Sequence, residues 1–160
     1  MKRPHKWMMS VVALLLVGCK SSPGDPDLNA TITWMGNALA RHNGQRLDST
    51  ISKDVKLINK LTADHCQLTY ELSNFETIQY DLSDIDTRTL KLETIGQSTW
   101  VTFRTRDYHH SVRYIDAHGQ KLNYDSETGG FSLDSQEVAT SFSKALGRAA
   151  KLCGAKPSTF

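Results

Sequence analysis

The sequence predicts an α+β domain: an N-terminal helix, about seven short antiparallel strands, and a C-terminal amphipathic helix. Three patterns predict it. Apolar residues recur at helical spacing from Leu28. From His65 the hydrophobic period becomes two and stays so through a series of tight turns. A second helical pattern, with start and stop signals, begins after Asp134.

Leu28, Ile32, Met35 and Leu39 fall at i, i+4, i+7 and i+11, one face of a helix over residues 28–42. Trp34 and Ala38 widen the stripe, Asp27 suits the N-cap, and Asn43-Gly44 suits the stop. Residues 44–64 are ambiguous, because Val55, Leu57, Ile58 and Leu61 fit neither period.

Cys66, Leu68, Tyr70 and Leu72 then alternate with polar residues, as a half-buried strand does. Ser73-Asn74 marks a turn, after which Ile78, Tyr80 and Leu82 alternate. Leu90 and Leu92 open a third strand, which Gly96-Gln97 turns into a fourth with Val101 and Phe103 on one face. Val112 and Tyr114 line a fifth. His118-Gly119 leads to Leu122 and Tyr124, and Gly129-Gly130 to Phe131 and Leu133. This spacing reads as an antiparallel meander.

In the last element Asp134 and Glu137 have capping-box spacing. Val138, Phe142, Ala145, Leu146, Ala149 and Leu152 form an apolar face. Arg148 and Lys151 complement the helix dipole, Gly154 is placed as the C′ residue, and Pro157 follows. The order of seven strands and one C-terminal helix over residues 65–153 resembles the pleckstrin-homology-like superfold. That resemblance, of element order only, implies a bent open barrel plugged by the helix. Its rival is a generic α+β meander with helices on one face. Ser73 to Thr77 contains no Lys or Arg, so the resemblance carries no inositol-phosphate expectation.

The N-terminus is a different kind of sequence. Lys2, Arg3 and Lys6 precede an apolar run from Trp7 to Val17, too short to span a bilayer. The run closes on Leu16-Val17-Gly18-Cys19. These residues resemble the lipobox of bacterial lipoproteins at each position. The resemblance implies cleavage between Gly18 and Cys19, a diacylglycerol thioether on Cys19, and acylation of the new amino group. It also implies a lipid-anchored protein of the cell envelope on the periplasmic face. Lys20, rather than the Asp that retains lipoproteins in the inner membrane of enteric bacteria, leans to the outer membrane. The alternative is an ordinary secretory signal with a chance Cys. Three regions follow: a signal peptide at 1–18, the lipidated Cys and a Pro-containing polar tether at 19–27, and one globular domain at 28–160.

Removing residues 1–18 leaves 142 residues, enough for one domain with a core. The chain has 19 Lys and Arg against 17 Asp and Glu; without Lys2, Arg3 and Lys6 the balance is 16 against 17. The basicity belongs to targeting, and no basic stripe supports a nucleic-acid partner. With Cys19 taking lipid, Cys66 and Cys153 remain as a pair 87 positions apart. A disulfide is expected, since disulfides persist in oxidising compartments; two buried free thiols are the alternative.

Catalytic and metal chemistry find little support. Asp107-Tyr108-His109-His110 has zinc-ligand types, but adjacent strand residues point to opposite faces, so a turn is the better reading. Asp81, Asp84 and Asp86 lack the Gly of a calcium loop and suit a turn. No Gly-x-Ser-x-Gly elbow or phosphate-binding glycine loop is present. The expectation is a non-enzyme with no cofactor and no metal. An enzyme using Asp107 with His109 or His110 is a remote alternative.

Trp100 and Arg104 should point away from the Val101 and Phe103 face, which makes them the candidate binding pair. Against this, Trp100 can pack under the N-terminal helix. The expected function is a membrane-tethered binding or adaptor domain with a protein partner, using a sheet edge or the Trp100 face. The alternative is a carrier of a small apolar ligand, drawing on Phe75, Tyr80, Tyr108, Tyr114, Tyr124 and Phe131.

Overall fold

A computed structural model describes residues 26–46, 56–108 and 111–158. The signal peptide, the lipobox with Cys19, the tether as far as residue 25, and His109 and His110 lie outside the described residues.

Helix α1 spans Pro26–Arg41. It starts before Asp27, contrary to the expected N-cap. Proline is well suited to a first helical turn, where its missing N–H is no loss, so Asp27 lies inside that turn and complements the dipole. Leu28, Ile32, Met35 and Leu39 are all buried, as their spacing predicts. The stop also matches. Asn43 takes a left-handed conformation (φ 47°), and the Gly44 N–H reaches the Leu39 carbonyl at 2.8 Å. That bond satisfies a carbonyl which the helix end would orphan.

Nine strands are present among the described residues: β1 (Gln45–Arg46), β2 (Lys56–Asp64), β3 (Gln67–Leu72), β4 (Thr77–Asp81), β5 (Lys91–Ile95), β6 (Ser98–Arg104), β7 (Val112–Ile115), β8 (Lys121–Ser126) and β9 (Thr128–Leu133). All pairings are antiparallel, in the order β5-β6-β9-β1-β2-β3-β4-β7-β8. The architecture is α+β, with an open sheet between two helices in chain order. All seven expected strands are found. The two additional ones, β1 and β2, occupy the stretch that fits neither period. The cause in β2 is a bulge between Ile58 and Lys60, which shifts the register against β3 and breaks the alternation.

Two local expectations are corrected. Gly129 and Gly130 lie within β9 rather than in a turn. Gly129 pairs with Phe103, and a Cβ there would stand 2.3 Å from the Phe103 ring, so glycine is what lets that ring lie across β9. Leu92 is exposed: β5 is an edge strand exposed along its whole length, and Leu90 rather than Leu92 packs against the core.

Helix α2 spans Gln136–Leu152. Its N-cap is Ser135, whose hydroxyl accepts from the Val138 N–H at 3.4 Å, and not Asp134. The Asp134 carboxylate instead receives His42 Nδ1 at 2.9 Å and Asn43 Nδ2 at 3.0 Å, tying the end of α1 to the start of α2. At the other end Gly154 is left-handed (φ 82°). The Gly154 N–H bonds Lys151 O and the Ala155 N–H bonds Ala150 O, each at 2.9 Å, which completes the expected stop.

The buried face of α2 is Ala139, Phe142, Leu146, Ala149 and Ala150, a small rotation from the sequence reading. Leu152 falls off it and is exposed, while Val138 and Ala145 are half-buried. Phe142 meets Phe131 with ring centroids 5.0 Å apart, and Phe131 meets Tyr70 at 5.4 Å. Tyr80 joins Phe103 at 5.2 Å. Burial, with Tyr70 beside it, pushes the Tyr80 phenol well above the ordinary tyrosine range. The space between α2 and the sheet is thus filled by aromatic side chains.

Cys66 and Cys153 form a disulfide with their Cα atoms 5.6 Å apart. It fastens the C-terminal end of α2 to the start of β3.

Candidate functional site

The two helices are antiparallel neighbours, tied at both ends. Asp134 holds the C-terminal end of α1, and Arg148 bonds Asp27 at 2.9 Å at its N-terminal end. The molecule therefore has two distinguishable ends, separated by the length of α1, about 24 Å at 1.5 Å per residue. Polypeptide from residue 25 backward enters at the Asp27 end, hereafter the tether end. The β2–β3 turn at His65 and the disulfide also lie there, because β2 starts beside Gly44 and runs away from it. The β3–β4 turn lies at the opposite end.

That turn carries an unusual side chain. Phe75 is 69% exposed, the most exposed of the large hydrophobics among the described residues. Its backbone is left-handed (φ 66°), a conformation strongly disfavoured for a bulky residue. Two hydrogen bonds hold it there: Phe75 N–H to Leu72 O at 2.9 Å, and Leu72 N–H to Glu76 O at 2.8 Å. Leu57 is 45% exposed, and its carbonyl accepts from the Ser73 N–H in the same turn. Lys56 and Glu76 form a 2.7 Å ion pair between β2 and the end of this turn, both side chains largely covered. The turn thus presents an exposed Phe75, with an exposed Leu57 on the strand hydrogen-bonded to it.

The expected binding pair is not brought together on a surface. Trp100 and Arg104 do share the face of β6 opposite Val101 and Phe103. Trp100, however, is only 7% exposed, and its indole Nε1 finds no hydrogen-bond partner among the described residues. Trp100 is therefore packed rather than presented, which agrees with the alternative reading of its burial and not with its exposure. Arg104 is exposed, with its guanidinium 5.6 Å from the centre of the Tyr108 ring.

Arg104 borders a polar cavity of about 320 Å³, together with Asp86, Arg88, Thr105, Tyr108 and Ser158. Asp86 is buried there and accepts from Arg88 through its backbone N–H, Nε and Nη2 at 3.0, 3.3 and 3.2 Å. Burial opposes its ionisation, yet hydrogen bonds from Arg88 and Ser158 outweigh that and hold the carboxyl down at about 2. Such a carboxylate is a poor general base. Arg88 also donates to Ser158 O at 2.7 Å, and the Asp107 N–H donates to Ser158 Oγ at 3.2 Å. The cavity is the seam where the segment after α2 is fastened to the sheet.

The three aspartates that resemble part of a calcium loop separate into different tasks. Asp81 caps the helical turn Leu82–Asp84, Asp84 approaches Arg106 at 3.9 Å, and Asp86 holds Arg88. Asp107 and Tyr108 are consecutive left-handed residues in a tight bend, which agrees with the turn reading of that segment. Among the described residues no three His, Cys, Asp or Glu side chains converge to hold a metal ion.

A last feature lies on the outside of the helices. A groove of about 310 Å³ runs between Trp34 and Ala30 of α1 and Ala145 and Arg148 of α2. Beyond Arg148 it meets a wider one, about 680 Å³, bordered by Lys144, Lys151, Leu152 and Leu90.

Sequence reasoning named Phe75 only in the aromatic supply of a carrier and Leu57 only in the ambiguous stretch, because a lone Phe in a turn and a Leu beside a bulge give no periodic signal of exposure. The spacing Asp86-Thr-Arg88 was readable as an Asx turn; its burial was not. Comparison with protein-family models, curated proteins and solved structures finds no match to this chain.

Proposed function

We propose that this chain is a lipid-anchored, non-enzymatic binding or adaptor protein of the cell envelope, held on the periplasmic face through Cys19 and the tether to residue 27. The lipobox residues Leu16-Val17-Gly18-Cys19 support the anchor. The Cys66–Cys153 disulfide suits an oxidising compartment. The outer membrane is the favoured location, on the strength of Lys20.

The observation that carries the binding role is the Phe75 tip. A bulky apolar side chain in a disfavoured backbone conformation lowers stability, and such strain concentrates where a function uses it. Leu57 extends the apolar area, and the tip stands at the end of the domain away from the tether. A protein partner that covers Phe75 and Leu57 is the expected ligand.

The test is crosslinking and affinity recovery of the tagged protein from its native membrane, beside a Cys19→Ala control and a Phe75→Gly variant. Glycine relieves the left-handed strain, so the variant folds at least as well and lost recovery cannot be blamed on unfolding. A stoichiometric partner recovered with the parent chain and lost in Phe75→Gly is the expected result. Recovery that is indifferent to Phe75→Gly would overturn the assignment of the tip.

A further inference from the structure

We propose that the outward face shared by α1 and α2, from the tether end to the middle of both helices, docks on the anionic phospholipid surface of the membrane that holds the chain. The inference rests on the lipid-anchored reading and adds to it an orientation.

The residues of this face have the composition of a membrane interface. Trp34 is 42% exposed on α1, and Leu152 is 41% exposed at the end of α2. Tryptophan with one polar edge and one apolar body prefers the headgroup level of a bilayer. Lys144, Arg148 and Lys151 stand between and beside them, spaced on α2 so that one face carries all three. Among the described residues Asp27 is the single carboxylate bordering either groove, and it is already bonded to Arg148. Neither Lys144 nor Lys151 pairs with a carboxylate among the described residues. The face is thus cationic in excess, while the mature chain as a whole carries 16 Lys and Arg against 17 Asp and Glu.

Position selects the occupant. Asp27 is eight positions after Cys19, and a fully extended chain of eight such steps spans about 28 Å at most. Asp27 sits in the groove itself, bonded to Arg148, so the anchor cannot carry this face far from the bilayer. At so short a reach the membrane is present at high effective concentration, and a weak attraction suffices. Long basic side chains with apolar stems add contact with acyl chains while keeping their charge among the phosphates. The Phe75 tip, at the opposite end, then points away from the membrane towards a partner.

The mature lipoprotein contains two tryptophans, Trp34 exposed and Trp100 buried, since Trp7 belongs to the signal peptide. The lipidated chain is reconstituted into vesicles of phosphatidylcholine, or of phosphatidylcholine and phosphatidylglycerol in equal parts, both with brominated acyl chains. The expected result is quenching of Trp34 fluorescence in the mixed vesicles. Quenching falls to the phosphatidylcholine level in high salt and in Lys144→Glu/Lys151→Glu, and Trp34→Phe supplies the baseline. Equal quenching in both vesicle types, or quenching indifferent to the charge reversal, overturns the proposal. Mass spectrometry of the mature N-terminus separates the two levels. An unmodified Cys19 removes the anchor and the docking together, whereas an acylated Cys19 with Trp34 unquenched removes the docking alone. Trp34 unquenched in vesicles, with Lys144 and Lys151 shielded from amine labelling in the native envelope, overturns it in favour of an acidic protein segment.

Discussion

The two ends of this domain are held by different physics. At the tether end the C-terminus of α2 is fixed covalently, by Cys66–Cys153, and reinforced by its left-handed Gly154 stop and the Arg148–Asp27 pair. At the tip end there is no covalent link among the described residues. Asp134 gathers His42 and Asn43, Ser135 caps α2, and the β3–β4 turn keeps Phe75 in a disfavoured conformation. Left-handed backbone occurs at both ends, at His65 (φ 54°) and at Phe75 (φ 66°); what separates them is the covalent link at one and the exposed Phe75 side chain at the other.

The largest expected effect breaks the covalent end. Cys66→Ser/Cys153→Ser frees a loop of 87 positions and should lower unfolding free energy by about 4–5 kcal/mol in urea denaturation. Amide exchange should show fraying at Lys151 and Leu152 while the Ser135 end of α2 keeps its protection. Uniform loss along α2 would show that the two ends are not independent.

Acid should weaken the tether end next. The folded Asp86 carboxyl, at about 2, lies below its unfolded value of 3.8, so its contribution is full above 3.8 and is lost as pH falls towards 2. The loss should be about 1–2 kcal/mol. Stability of Asp86→Asn measured between pH 2 and pH 6 should lack this slope.

At the tip end, Asp134→Ala leaves His42 and Asn43 without their shared acceptor and should cost about 1 kcal/mol. Phe75→Gly should act in the opposite sense and stabilise by about 1 kcal/mol, because an L side chain pays roughly 1–2 kcal/mol in the left-handed region. A thermal melt that falls in Phe75→Gly would mean that the side chain packs more than its exposure implies. The smallest effect is Arg148→Ala. Both partners are more than half exposed, so the pair should contribute at most about 0.5 kcal/mol.

The elements that the sequence made legible are those with a clean period or a local signal. The buried face of α1, the alternating strands β3 and β4, and the Gly154 stop all depend on residues near one another in the chain. The helix starts were harder. Asp134 and Ser135 both have capping chemistry, and the choice fell to Ser135 because Asp134 is drawn to His42, far away in sequence. β2 hid behind its bulge, and Leu152 left the apolar stripe because α2 packs slightly rotated. Trp100 shows the same limit. Alternation placed it on the outer face correctly, but alternation says nothing about what else covers that face.

By itself the sequence determined the α+β class and the antiparallel strands. Both follow from short-range periodicity and turn chemistry, whereas the Cys66–Cys153 bond was one of two open readings until the structure placed the two residues together. Only the tertiary structure decided that the strands are ordered β5-β6-β9-β1-β2-β3-β4-β7-β8, that Asp86 is buried and held by Arg88, and that Phe75 is exposed at one end while Trp34, midway along α1, borders the groove that holds the Asp27–Arg148 pair. The reason is physical. Backbone sterics and hydrophobic period act between neighbours in the chain, whereas strand order, burial of a charge and the shape of a surface depend on residues brought together by the collapse of the whole domain.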